Sequence, residues 1–445
     1  MHLSQTRGPA RCRGGLPRVL CVVAAAAVLL LAPRSASANG RFPAANEFFF
    51  SPSDAGVVIL RTTFGIMISR DGGGSWVWLC EDALGLSSVS NEDPTLGLTA
   101  NGSMVVGVSW ALQVSPDLGC TWNVQGGPLM GQDYVDLAVR PDNPHAIVAL
   151  RSTYSLDAGV GGGKGYATQV LESTDDGATW SPLGVPIDPS VIATTVDVAA
   201  TDPHRLYVSG HRLATEAGPA NASLFVSTDD GISWNEEPLP PLDASESGVF
   251  IGAVDPTNAD VVYLRSASAV STAPSRLFVT RNAGSSFQVG LTLKGQMLGF
   301  ALSPDGTTLY VGGPNDGLLT APSSVVGSTN QFTMVNPGIA VQCLAIHGTD
   351  LWACSNESSG FIAGVSTNAG STFTPKLHLV DVQSTIQCDG DAAGAQCSGT
   401  PFTLLCRMFG NCPPPDGGPA GSGMDSGNPA AVSYTHLRAH ETGRN

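Results

Sequence analysis

An all-β fold is predicted for this 445-residue chain: a seven-bladed β-propeller of four-stranded antiparallel blades, with a short Cys-rich C-terminal extension. Three observations predict it. One eight-residue phrase recurs six times, its first residue at 69, 115, 173, 227, 280 and 366, and short β-type runs flank every copy. Hydrophobic residues make up 42% and charged residues only 13%, with 53 Gly and 31 Pro, which suits many short buried strands joined by tight turns. Recurrence at a near-fixed period means that each repeat is one supersecondary unit stacked on its neighbours.

The phrase reads SRDGGGSW, SPDLGCTW, STDDGATW, STDDGISW, TRNAGSSF and STNAGSTF in order along the chain. It has the form of a hairpin turn. Asp71, Asp117, Asp175, Asp229, Asn282 and Asn368 are placed to bond back to the local backbone, and the following Gly supplies a left-handed position. Trp76, Trp122, Trp180, Trp234, Phe287 and Phe373 plug the sheet. Successive copies are 46, 58, 54, 53 and 86 residues apart, and the last step suits two blades rather than one. A blade whose corner has decayed is expected between them, at 309–325 followed by Phe332. That gives seven blades.

Each repeat opens with an apolar strand ending in a Pro- or Asp-containing turn, as in FFFSPSD (48–54), LAVRPDNP (137–144), VAATDP (198–203), GAVDP (252–256) and ALSPDG (301–306). LGLTANG (96–102) and CLAIHGTD (343–350) are weaker versions. A second strand, a third leading into the corner and a fourth leaving it complete a meander.

The chain ends differ from the repeats. Four Arg between positions 7 and 18, an apolar run from Val19 to Leu31 and Ala36-Ser37-Ala38 form a signal-peptide pattern over 1–38. Its removal takes away five Arg and no acid, leaving 16 basic against 37 acidic residues, a formal charge of −21. Such a surface repels nucleic acid and anionic lipid. The propeller is placed at 39–378, the Cys-rich extension at 379–412 and a disordered Gly/Pro/Asp linker at 413–430. The last segment, 431–445, breaks the composition and resembles translated sequencing-adapter read-through. The mature chain is expected to be exported, to the extracellular space, periplasm or cell surface, without an integral membrane segment, and monomeric.

Eight Cys remain after the leader, an even number in an exported chain, which favours disulfides. Cys343 and Cys354 lie on consecutive strands and are placed to face each other. A bridge between Cys80 and Cys120 would join adjacent blades. Cys388, Cys397, Cys406 and Cys412 form a compact group, read as two disulfides with a zinc site as the sharper alternative. No cofactor or metal is expected, and His145, His204, His211 and His347 are scattered turn or strand residues.

In an antiparallel meander the corners lie on one face and the loops between second and third strands on the other. Those loops are unequal: long at 152–167, 213–222 and 266–275, almost absent in the first two blades. Arg61, Arg151, Arg212 and Arg265 each end a second strand and are aimed at the loop face. A ring of guanidinium groups there suits a carboxylate or sulfate. Glu47, Asp136 and Asp197 start the facing inner strands, so cross-strand ion pairs with Arg61, Arg151 and Arg212 are the structural alternative. Arg265, facing Phe250 or Ile251, is left unpaired.

The recurring phrase resembles the Asp-box (BNR repeat), and residues 40 to about 378 resemble the broad group of Asp-box propellers that includes sialidases, sortilin-type receptors and photosystem II assembly factors. Glycosidases of this group imply two carboxylates about a sugar, for which Glu47, Asp136 and Asp197 are weak candidates, with Glu216 and Asp157 on nearby loops. Arg41-Phe42-Pro43 departs from the sialidase Arg-Ile-Pro motif, and a single ring of seven blades departs from the sialidase and xyloglucanase patterns. The receptor-like members imply a platform for an extracellular protein or glycan. A hydrolase requires two free carboxylates about 5 to 9.5 Å apart; a platform leaves each acid consumed by its Arg.

Overall fold

Seven four-stranded antiparallel sheets, each with its strands in chain order, make up the computed structural model. It describes residues 43–86, 92–159, 163–212, 221–268, 270, 272–329, 331–390 and 393–412, so the leader, linker and tail expectations lie outside the described residues. The blades span 45–79, 95–124, 134–182, 191–238, 246–293, 299–336 and 343–377. The sixth stands where the sequence lacks the corner phrase, with its second and third strands at Thr308–Gly313 and Gly317–Pro322. Its corner is a 3-10 turn, Ser323–Val325, held by Arg281 of the fifth blade, which donates to the Val326 carbonyl at 3.1 Å.

Second and third strands are sandwiched between neighbouring blades, so they are apolar on both faces and read as runs such as Met104–Val108 and Ala111–Ser115, every residue buried. Outer strands such as Asn123–Val124 are exposed. The core is therefore distributed over the seams: separate apolar clusters fill those between blades 2/3, 3/4, 4/5, 5/6 and 6/7. One larger cluster fills both seams flanking blade 1 and continues into the extension through Val382, Ile386 and Phe409. Inner strands of successive blades touch all the way round, the seventh against the first. Phe48 and Phe50 pack edge-on against Trp352 at 5.4 and 5.5 Å, and the Trp76 indole donates to the Lys376 carbonyl at 2.9 Å across the closure.

The four Asp-bearing corners share one hydrogen-bond knot. The Ser69 hydroxyl donates to Asp71 at 2.8 Å and accepts from the Gly73 N–H at 2.8 Å, while Asp71 accepts from the Ser75 N–H and hydroxyl at 2.8 and 2.7 Å. Ser115, Ser173 and Ser227 build the same knot with Asp117, Asp175 and Asp229. Where Asn replaces Asp, as at 282, the amide donates to the Ser286 hydroxyl instead. The sequence assigned one left-handed residue to each corner; there are two. Leu118, Asp176, Asp230, Ala283 and Ala369, with φ between 53° and 58°, precede the Gly, and they are the non-Gly residues with positive φ among the described residues. This first left-handed residue sends its N–H to the turn between the blade's first two strands, as Asp176 to His145 (2.9 Å) and Asp230 to His204 (3.1 Å). Corner and first turn thus share one face. The hairpins between second and third strands occupy the other.

The extension holds two short helices that the sequence reading did not expect, α1 (Ala393–Cys397) and α2 (Thr400–Phe409). Before them, residues 384–386 run parallel to the outer strand of blade 1, the Trp78 N–H bonding Ser384 and the Ile386 N–H bonding Trp78, both at 2.9 Å. An exposed strand edge is covered. Cys343–Cys354 pairs as expected and Cys406–Cys412 closes within the extension. The suggested Cys80–Cys120 bridge is not formed: Cys80 bonds Cys397 and Cys120 bonds Cys388. Of the two disulfides expected among the four extension cysteines only Cys406–Cys412 is formed, because Cys397 and Cys388 are taken by blades 1 and 2. Among the described residues no three metal-ligating side chains cluster, and no helix is long and apolar enough to cross a membrane.

Candidate functional site

Inner strands leave one backbone edge unpaired, facing the ring axis, and polar side chains of the preceding blade serve it. The Asp136 carboxylate accepts from the Val196 N–H at 2.8 Å, and Asp197 accepts from Val198 at 2.8 Å and from Val254 at 3.4 Å. The Thr195 hydroxyl accepts from Ile251 at 2.9 Å. Glu47 and Asp197 both push the Asp136 pKa upward, and Arg265 feels Glu47 and Arg61, so groups from four blades converge near the axis.

Glu47 lies opposite Arg61 in the register and pairs with it at 2.8 Å, as expected. The other two pairs are not formed. A one-residue offset places Asp136 opposite Leu150, and a bulge at Thr194 contributes to Asp197 lying opposite Tyr207. A shift of one residue sends a side chain to the other face of a strand, so residues at the facing ends of two strands need not meet. Arg212 instead bonds Glu236 through both its Nε and an NH2 group, with Asp188 at 3.1 Å. Arg265 lies opposite Phe250, its guanidinium 5.0 Å over that ring and donating to the Met297 carbonyl at 3.0 Å. Arg151 stands apart from its proposed partner, opposite Tyr134 and Gln169.

Freed from Arg, the two acids carry unusual chemistry. Desolvation pushes the Asp136 carboxyl up to about 8 and that of Asp197 up to about 6, so Asp136 is largely protonated at neutral pH. A protonated carboxyl is the general-acid half of a glycosidase pair, yet each acid here also satisfies backbone N–H groups. Neither expectation from the sequence holds in full: Glu47 is consumed by Arg, while Asp136 and Asp197 are engaged by backbone. Neither acid lines the open pocket of about 320 Å³ formed by Phe49, Phe50, Leu96, Leu98, Leu137 and Val139 of the first three inner strands.

The loop face is dominated by blade 3. Its second and third strands, Ile147–Gly159 and Gly163–Ser173, continue well past the first strand as a projecting ribbon. Tyr154 packs edge-on against Tyr166 at 5.5 Å, and Tyr154 and Leu156 are 50% and 64% exposed. The sequence flagged the length of this insertion, but its Gly-rich tip concealed its strand character. The blade-4 loop lies largely outside the described residues.

No family model matches the sequence, and no curated protein does. Among solved structures, an ancestral GH74 enzyme aligns over 75% of this chain at 17% identity and a TM-score of 0.49. This chain spans 45% of that enzyme's length. The extracellular domain of a one-component system from B. thetaiotaomicron aligns over 70% of this chain and 37% of its own at 12% identity, TM-score 0.44. YCF48 bound to D1 peptide aligns over 55% and 66% at 16% identity, TM-score 0.35. All three TM-scores lie below 0.5, and the propeller fold rests on the seven sheets of the chain itself.

Proposed function

We propose that this chain is an exported, surface-tethered binding propeller that engages an extracellular protein or glycan through the face opposite its corners. The projecting ribbon of blade 3 carries the reading: it holds out Tyr154 and Leu156 where they stabilise no core, and exposed aromatic and aliphatic anchors of this kind supply binding energy. Four disulfides among the described residues support an oxidising compartment. The test is binding of the full chain to arrays of glycans and of extracellular peptides. Tyr154→Ala and Leu156→Ala should each weaken capture about tenfold or more; capture untouched by both would refute the ribbon's role.

One observation favours glycoside hydrolysis as a second reading, the raised carboxyl of Asp136. Release of reducing ends from an array glycan, abolished by Asp136→Asn, would replace the binding role with catalysis.

A further inference from the structure

Seven arginines among the described residues are buried or half-buried: Arg61, Arg140, Arg151, Arg205, Arg212, Arg265 and Arg276. Six of them have acceptors. Arg61, Arg140, Arg205, Arg212 and Arg276 meet carboxylates, and Arg265 meets a carbonyl and an aromatic face. Arg151 is the exception. Among the described residues it makes neither a hydrogen bond nor an ion pair, and its Nε is shielded from solvent without an acceptor.

Among the described residues no opposite charge offsets whatever desolvation this half-buried cation carries. Its position is also particular. Arg151 sits where the blade-3 ribbon leaves the sheet, opposite Tyr134, whose hydroxyl is already committed to the Leu129 carbonyl at 2.9 Å. By strand alternation it shares a face with Thr153, which ties the connector from blade 2 through Gln132 and Asp133. The chain as a whole carries a formal charge of −16, so an extended polyanion is repelled while a compact anion can reach one local cation.

We propose that Arg151 is an anion-binding residue at the base of the ribbon, taking the carboxylate of an acidic sugar or of a peptide terminus through its guanidinium fork. The site belongs to the ribbon-bearing face and so stands on the binding role proposed above. The full chain is titrated calorimetrically at low salt with sodium glucuronate and with N-acetylglycine, against glucose and N-acetylglycinamide, to about 50 mM. At least one carboxylate should bind saturably and its neutral counterpart should not; which one binds separates sugar from peptide. Arg151→Met should weaken that binding about tenfold or more, Arg151→Lys less, and exposed Arg407→Ala not at all. Ligand-free Arg151→Met should melt no lower than the parent, since a desolvated charge is removed. If that variant fails to fold, Arg151→Gln gives the same comparison.

Binding unchanged in Arg151→Met, equal binding of the neutral analogues, or no binding of either carboxylate overturns the assignment. Array capture that depends on Tyr154 but not on Arg151 would sink the anion site and leave the binding face standing. Capture that depends on neither sinks both.

Discussion

Ser227 shows where a corner keeps its strength. Its side chain is buried, donates to Asp229 at 2.8 Å and accepts from the Gly231 N–H at 2.8 Å, whereas the acid it holds faces solvent. Ser227→Ala strands the Gly231 N–H inside the turn and should cost about 1–3 kcal/mol, read as a lowered urea midpoint. Ser227→Thr should be close to neutral, because Thr280 fills the same place in blade 5 and bonds the Gly284 N–H at 2.8 Å. At this scale the sequence displayed the corner's Asp, Gly and aromatic, but gave the first Ser/Thr no role beyond marking register. It also hid the second left-handed residue, since Leu118 and Ala283 carry no side-chain signature of that conformation. Glu47–Arg61 was legible from symmetry about a turn; Asp136 and Asp197 were not, because an offset or a bulge of one residue leaves no mark on composition.

Blades and extension differ as elements in how they are secured. Every blade is continuous in the chain, so among the described residues no strand shared between the two ends locks the ring. Instead the extension crosses blades 1 and 2 and is bonded to each, with partners 317 and 268 residues apart. Cys343 and Cys354 close only an 11-residue separation within one hairpin. With Cys120–Cys388 in place the Cys80–Cys397 link closes a further loop of about 50 residues, so chain entropy makes it worth about 1.3 kcal/mol more than the short one. The double variant Cys80→Ser, Cys397→Ser should therefore lower stability by about 2–5 kcal/mol, and Cys343→Ser, Cys354→Ser by clearly less, in denaturant titrations of the full chain. Equal losses would mean that the extension is an appendage rather than a clasp. Period and turn chemistry made the seven blades readable. The clasp was not, because eight cysteines permit 105 connectivities and a ten-residue helix such as α2 offers too few turns for its periodicity to stand out from strand-like runs.

For the whole molecule, acids of opposite character occupy the two regions, and together they set how stability depends on pH. At the corners, hydrogen bonds from Ser75 hold Asp71 down to about 2, and Asp175 and Asp229 are lowered by equivalent bonds; Asp117 is lowered too, its bonds outweighing desolvation, and Asp305 in the first turn of blade 6 is lowered by Ser303 and Thr307. Their contribution is present above the ordinary carboxylate value of 3.8 and is lost as pH falls toward 2. At the axis the sign reverses. Asp136 and Asp197, raised by desolvation, bind more protons folded than unfolded, so their contribution declines as pH rises from 3.8 through about 6 and about 8. His204, raised by its bond to Asp230, adds to that decline, being favourable below 6.5 and lost as pH climbs through its higher folded value. His211, lowered by burial, opposes it, gaining stability as pH rises to 6.5. Two carboxyls with large shifts outweigh one imidazole, so thermal melts should peak at about pH 4–5 and fall to a plateau above about pH 8. Asp136→Asn keeps an acceptor for the Val196 N–H but cannot ionise. It should flatten the limb between pH 6 and 8 and leave the acid limb unchanged; a variant limb as steep as the parent's would mean that Asp136 ionises like an exposed carboxyl and that the axis carries no stored desolvation.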